Sequence, residues 1–158
     1  MRKLVLAAIV GMFSIASSVA QMSDEEVGLM RSILKSEVKV YFAQNIELTT
    51  SEAAPFWEIY DAYENELKPS SDARIKLMRE IIKSEGVLSE DEMHTKIMEA
   101  IKLQKKRRDV RIKYYKLYKK KMGVKVAAQF YQLDQYINTM VTASLNEGMP
   151  IVIPEVKK

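Results

Sequence analysis

Apolar residues recur every three or four positions through most of the chain after its first twenty residues. This spacing predicts amphipathic helices, because it places the apolar side chains on one face of a helix. The first predicted helix runs from about Asp24 to Ala43, and Ser23 and Glu26 have the spacing of a capping box at its start. Its apolar stripe consists of Val27, Met30, Leu34, Val38 and Tyr41.

Two later helix starts carry the same local pattern. In LTTSEA, Thr49 precedes Glu52 by three residues, and in LSEDEM, Ser89 precedes Glu92 by three residues. In a capping box the hydroxyl residue and the acid each accept a hydrogen bond from a backbone N–H that the helix leaves without a partner. The repeated pattern therefore predicts two helix starts and needs no ligand to explain it.

The helix that follows Thr49 is predicted to end near Gly86, since glycine commonly terminates a helix. Its apolar stripe has a spacing close to a heptad. The stripe passes through Phe56, Tyr60, Tyr63, Leu67, Arg74, Met78 and Ile81 or Ile82. Pro69 lies inside this pattern. Because proline has no N–H and its ring clashes with the preceding turn, we expect it to kink or split the helix.

A third helix is predicted from Glu90 to about Met122, where Gly123 ends it, and a fourth from about Val124 to Asn146. The expected inward residues of the third helix are Met93, Ile97, Ile101, Tyr115, Tyr118 and Met122, with Gln104, Arg108 and Arg111 interrupting that face. Those of the fourth are Ala127, Phe130, Ile137, Val141 and Leu145, and Gly148, Pro150 and Pro154 follow it.

The first twenty residues are predicted to be a secretory signal peptide. Arg2 and Lys3 give a positively charged start, residues 4–15 are an apolar run, and Ser18-Val19-Ala20 has the pattern of a cleavage site. The apolar run is shorter than the roughly 20 residues that span a bilayer. We therefore expect cleavage after Ala20 rather than a retained membrane anchor.

Composition points to an all-α protein. The chain has no cysteine, five glycines and four prolines, so disulfides and thiolate sites are excluded and turns are few. Short loops place sequential helices antiparallel. We expect a small bundle of about four helices with long antiparallel helical hairpins, in which residues 21–149 form a helical domain and 150–158 an extended C-terminal tail. After the signal peptide no segment is apolar for long enough to span a membrane stably.

Positive charge is concentrated in residues 102–121, here named the basic stretch. It holds eleven Lys or Arg and one acid, whereas residues 23–101 hold seventeen acids and nine bases. One interpretation is a solvated helix face. The other is a surface for acidic or amphipathic partners, because guanidinium groups beside aromatic rings attract both charge and apolar groups. The candidate binding residues are Lys105, Lys106, Arg107, Arg108, Arg111, Tyr114, Tyr115 and Tyr118.

Little in the sequence indicates catalysis or a cofactor. There is one histidine, no cysteine and neither a P-loop nor an H-E-x-x-H motif. His94 lies one turn from Glu90 and Met98, but this mixture of soft and hard ligands suits no common metal ion. Nucleic acid fits basic and aromatic patterning, yet an exported protein is separated from it. We expect a non-enzymatic protein without cofactor, metal or nucleic acid.

The chain resembles the Spy/CpxP superfamily of periplasmic helical proteins, which carry LTxxQ motifs. LTTSEA and LSEDEM occupy the motif positions, and the aromatic segment 56–67 with residues 127–134 resembles an uncharacterised branch. Glu52 stands where the motif has glutamine. The resemblance implies a periplasmic location, a helical fold that pairs as a cradle-like homodimer, and either ATP-independent chaperone activity or envelope-stress sensing.

Two functional hypotheses follow. The first is a periplasmic chaperone-like protein that holds unfolded or amphipathic polypeptides on a basic, tyrosine-lined helical surface. The alternative is an envelope-stress sensor or regulatory partner that docks to the sensor domain of a membrane signalling system. A homodimer is expected, since an acidic and a basic region in one chain complement each other across two copies.

Overall fold

The computed structural model of this protein describes residues 24–147 and 149–154. The predicted signal peptide, its cleavage site after Ala20, the cap at Ser23 and the expected helix end at Gly148 lie outside the described residues.

The described residues are mostly helical, so the prediction of an all-α fold is confirmed. The elements are α1 (Asp24–Asn45), α2 (Thr50–Lys83), β1 (Val87–Leu88), α3 (Glu90–Glu147) and β2 (Ile153–Pro154). No helix among these residues combines the length and apolarity that crossing a membrane requires. Within these residues the predicted third and fourth helices are both part of the single element α3, which leaves the helical conformation at Gly123, so the count of about four helices stays a prediction.

Helix α3 is interrupted at the residue where the sequence predicts a helix end. Gly123 has φ 88° and ψ 171°, a conformation outside the helical region. The ring centroids of Tyr118 and Phe130 are 4.4 Å apart, whereas residues twelve apart in a straight helix are separated by about 18 Å. Tyr115 and Tyr131 are also in contact, at 6.0 Å. The chain therefore reverses at Gly123, and residues 90–122 pack against the start of the segment that follows.

The described residues fall into two compact units. Of the described residues, one unit contains those of 24–46 and 132–149, and the other contains those of 47–131 and 150–154. In the first unit the ring of Tyr41 stacks on that of Tyr136, with centroids 5.8 Å apart. The predicted boundary between the helical domain and the tail stays a prediction.

The core of the second unit is mainly aromatic. Phe56, Tyr60 and Tyr63 of α2 are buried, as their spacing predicts. Tyr63 contacts Tyr114 and Phe130, each with ring centroids 5.2 Å apart. Offset and edge-on ring contacts of this kind add stability beyond the burial of apolar area, so the aromatic core packs α2 against residues of α3 on either side of Gly123 that belong to this unit.

Both predicted capping boxes are present. The carboxylate of Glu52 accepts hydrogen bonds of 2.8 Å from the backbone N–H and the hydroxyl of Thr49. That of Glu92 accepts bonds of 3.0 and 2.7 Å from the same two groups of Ser89. These bonds lower the pKa of both carboxyl groups, because they favour the ionised form.

Helix α2 is continuous through Pro69, so of the two predicted outcomes, a kink or a split, the split does not occur and the kink stays a prediction. Buried side chains lie on both sides of it, including Tyr63 and Leu77. The hydroxyls of Ser70 and Ser71 donate hydrogen bonds of 2.8 and 3.2 Å to the carbonyl of Leu67. Core packing before and after the proline therefore outweighs its low helix propensity.

The end of α2 is joined to the C-terminal tail, which the sequence did not indicate. The N–H of Gly86 donates to the carbonyl of Ile81, and that of Glu85 to Ile82, the pattern of a Schellman motif. Strands β1 and β2 pair in parallel, and the N–H of Ile153 donates a 2.8 Å hydrogen bond to the carbonyl of Gly86. A Cβ at Gly86, which has φ 79°, would lie 2.5 Å from the carbonyl oxygen of Ile151. The pairing therefore requires glycine here.

We predict that Gly123→Ala lowers the free energy of unfolding by about 1–3 kcal/mol, the cost of a backbone conformation that is nearly restricted to glycine. No atom lies within 4 Å of an added Cβ at Gly123, so the loss measures backbone strain rather than a clash. Urea denaturation followed by circular dichroism provides the measurement.

The matched control is Gly28→Ala in α1, where an added Cβ also meets no atom within 4 Å. Because alanine is favoured over glycine inside a helix by roughly 0.5–1 kcal/mol, this variant should be slightly more stable. Equal effects at the two glycines would contradict the role given to Gly123.

Candidate partner-binding surface

Three of the predicted binding residues are buried. Tyr118 is fully buried, and Tyr114 and Arg111 are nearly so. The rings of Tyr118 and Tyr114 pack on Phe56 and Tyr63 of α2. The prediction that these three side chains line an exposed surface is therefore wrong. The reason is that Tyr114 and Tyr118, four residues apart, share the helix face that contacts the aromatic core.

Arg107 also has a structural contact. Its Nη1 donates a 2.6 Å hydrogen bond to Oγ of Ser71 in α2. The pKa of Arg74 is lowered, first by burial and second by the charge of Arg107. Both disfavour the charged form of Arg74. Tyr115 is partly exposed, with its ring against Tyr131. These positions belong to the packing between helices.

The remaining predicted residues, Lys105, Lys106 and Arg108, are exposed. Lys105 and Arg108 lie on one face of α3 with five other exposed residues at steps of three or four. We name this face the exposed stripe, and it consists of Met98, Ile101, Lys105, Arg108, Ile112, Lys116 and Lys119.

The apolar members of the exposed stripe include one residue, Ile101, that was predicted to face the core. Met98 and Ile101 are 50% and 52% exposed and Ile112 is 38% exposed, while Ile101 and Ile97 were expected to point inward. Tyr114 and Tyr118 both point into the core and together define the buried face of α3. Ile101 lies on a different face, so its side chain points outward. The stripe therefore carries three apolar and four positively charged side chains over about 30 Å of helix, with Met98 and Ile101 at its start and Ile112 between Arg108 and Lys116.

A groove adjoins the exposed stripe in the same unit. This groove is largely open to solvent and has a volume of about 420 Å³. We name it the lysine groove. Its lining residues are Glu66, Lys102, Lys105, Lys106, Asp109, Val110 and Lys113.

One side of the lysine groove is closed by an ion pair between α2 and α3. Nζ of Lys113 lies 2.6 Å from Glu66, and the hydroxyl of Tyr114 donates a 3.0 Å hydrogen bond to the same carboxylate. Lys113 first, and then Tyr114, lower the pKa of Glu66. Burial, and then the contact with Glu66, raise the pKa of Tyr114 to about 12. Tyr114 thus remains protonated at neutral pH and keeps donating to Glu66.

Within residues 24–147 and 149–154 no group of three or more His, Cys, Asp or Glu side chains is arranged to hold a metal ion. His94 is exposed. The expectations of no metal and no cofactor stay predictions.

Comparison with known proteins gave no assignment: no protein-family model matches the chain, and no curated protein or solved structure matches it significantly. The resemblance to the Spy/CpxP superfamily therefore stays a prediction.

We predict that Tyr114→Phe lowers the free energy of unfolding by about 1 kcal/mol, because it removes one hydrogen bond to a partly exposed carboxylate. Tyr115→Phe is the matched control, since the ring of Tyr115 contacts that of Tyr131 but its hydroxyl makes no hydrogen bond to the residues that the structure describes. Urea denaturation should show a near-neutral effect for Tyr115→Phe; equal losses would contradict the role of the Tyr114 hydroxyl.

The same pair of variants gives a prediction for alkaline pH. The pKa of Tyr114 is raised in the folded protein, from 10.0 to about 12. Its stabilising contribution is therefore complete below pH 10 and is lost as the pH rises towards 12. We expect Tyr114→Phe to lose less stability than Tyr115→Phe when unfolding is measured between pH 9 and about 11.

Proposed function

We propose that this protein is an exported, non-enzymatic binding protein of the chaperone type, which holds unfolded or amphipathic polypeptide segments without nucleotide. The observation that supports this most directly is the exposed stripe. Apolar side chains that remain exposed on the same helix face as positive charges are suited to segments that carry both apolar and acidic residues.

The composition of the exposed stripe favours loose binding. Covering the half-exposed side chains of Met98, Ile101 and Ile112 would contribute on the order of 1 kcal/mol each. A free energy of about 4 kcal/mol corresponds to millimolar affinity. The apolar contacts alone therefore permit fast release, while Lys105, Arg108 and their neighbours speed the encounter with acidic segments through long-range attraction.

This proposal differs from the sequence-based hypothesis in the nature of the apolar contacts. The predicted tyrosine-lined surface is replaced by isoleucine and methionine side chains, since Tyr114 and Tyr118 are in the core. Methionine suits varied partners because its side chain is flexible and polarizable. The buried tyrosines hold the helix whose opposite face carries the stripe.

The same proposal includes a periplasmic location, a relationship to the Spy/CpxP superfamily, an arrangement as a bundle of about four helices and a cradle-like homodimer. The two capping boxes support the family relationship, because they are formed by the residues at the motif positions. Unequal distribution of acids and bases along the chain supports the homodimer. Sedimentation of the purified protein should show a dimer that dissociates as salt is raised; a monomer at low salt would contradict the homodimer.

We predict that the protein suppresses aggregation of a chemically denatured client and that Met98→Ser with Ile101→Ser at least halves the effect. The control pair is Leu29→Ser with Val124→Ser, which removes apolar side chains of similar or greater exposure outside the stripe. Light scattering at several-fold molar excess provides the measurement, and added salt should weaken suppression.

Two results of this assay would change the conclusion. No suppression by the unmodified protein, or equal losses in the two double variants, would overturn the proposal.

The alternative function, docking to the sensor domain of a membrane signalling system, predicts instead one saturable partner recovered from membranes through the same stripe. Arg107 and Arg111 are unsuitable for substitution in either test, because their side chains contribute to the packing of the helices.

A further inference from the structure

The lysine groove has an excess of positive charge that its own carboxylates do not neutralise. Four lysines and two acids line it. Of the two acids, Glu66 is already bound by Lys113 and Tyr114. Asp109 is next to Arg108 in sequence and lies 4.0 Å from its Nε. No ion pair is recorded for Lys102, Lys105 or Lys106 within the described part of the chain.

The spacing of these lysines makes them converge. Lys102 and Lys106 are four residues apart on α3 and therefore neighbours on one helix face, with Cβ atoms about 5–6 Å apart. Lys105 lies beside them, three residues from Lys102. Like charges at such a spacing destabilise a helix by tenths of a kcal/mol per pair, so an anion between them would relieve a repulsion that the folded protein carries.

The position of Glu66 determines which part of the groove is open to a ligand. Its carboxylate is held on α2 by the 2.6 Å contact with Lys113, so that end of the groove is already neutral. Val110, which is buried, lies between the two ends. The open, positively charged end is thus formed by Lys102, Lys105 and Lys106.

We propose that this end of the lysine groove binds a phosphate-bearing anion through the ammonium groups of Lys102, Lys105 and Lys106. Each ammonium group has three N–H donors, and a phosphate group offers three acceptor oxygens with a charge near −2, whereas a carboxylate offers two oxygens and one charge. The phosphate would come from a soluble condensed phosphate or from a lipid headgroup.

The site can be separated experimentally from the exposed stripe. Lys102 and Lys106 belong to the groove and not to the stripe, so Lys102→Gln with Lys106→Gln leaves the proposed polypeptide contacts unchanged. The matched control is Lys116→Gln with Lys120→Gln, an exposed pair at the same spacing on the same helix. Glutamine keeps a helix propensity close to that of lysine, and circular dichroism would verify that both variants are folded.

The protein is purified from cells that express the whole chain. The soluble source is then tested by titrating inorganic tripolyphosphate into it in a calorimeter at about 0.15 M salt. We expect saturable binding that is weakened at least tenfold in the groove variant and changed less than twofold in the control. The lipid source is tested by sedimentation with vesicles that contain phosphatidic acid, whose headgroup is a phosphate monoester with three terminal oxygens, and with phosphatidylcholine vesicles for comparison. Retention that depends on the groove lysines would assign the phosphate to lipid.

The result that overturns the proposal is equally specific. If neither tripolyphosphate nor phosphatidic acid vesicles bind, or if both double variants lose binding equally, the groove is no more than part of a charged helix. Failure in this experiment leaves the aggregation assay unaffected, because that assay depends on Met98 and Ile101.

Discussion

The burial of Tyr118 between α2 and the residues after Gly123 constrains most of this structure. Its ring lies 5.0 Å from that of Phe56 and 4.4 Å from that of Phe130, and its hydroxyl donates a 3.1 Å hydrogen bond to the carbonyl of Phe56. A buried tyrosine needs such an acceptor. Once Tyr118 points inward, the rotation of α3 about its axis is determined, and so is the outward direction of the exposed stripe.

The features that the sequence predicted well are those decided by neighbouring residues. The capping boxes at Thr49 and Ser89 depend on atoms three residues apart, and the helix end at Gly123 depends on the backbone freedom of one glycine. The stripe of α2 from Phe56 to Ile81 was also predicted, because large apolar residues dominate one face. Local chemistry was sufficient in each case.

The binding surface was predicted less well because its residues are amphipathic. Tyrosine and arginine have both apolar and polar parts, so their spacing does not tell whether they face the core or solvent. The orientation is decided by partners that are distant in sequence: Phe56 lies 62 residues from Tyr118 and Glu66 lies 48 residues from Tyr114. The exposure of Ile101 and the lysine groove follow from those contacts, which no local pattern encodes.

The attachment of the tail at Gly86 has a consequence for how easily this part of the chain opens. The reversal at Gly123 joins residues close in sequence, whereas the pairing of Val87 with Ile153 closes a long loop for two strands of two residues. Closing a long loop costs more entropy than closing a short one. Two strands of two residues form too few hydrogen bonds to offset much of that cost. The β1–β2 pair is therefore weakly held, and the amide proton of Ile153 should exchange with solvent long before those beside Tyr118.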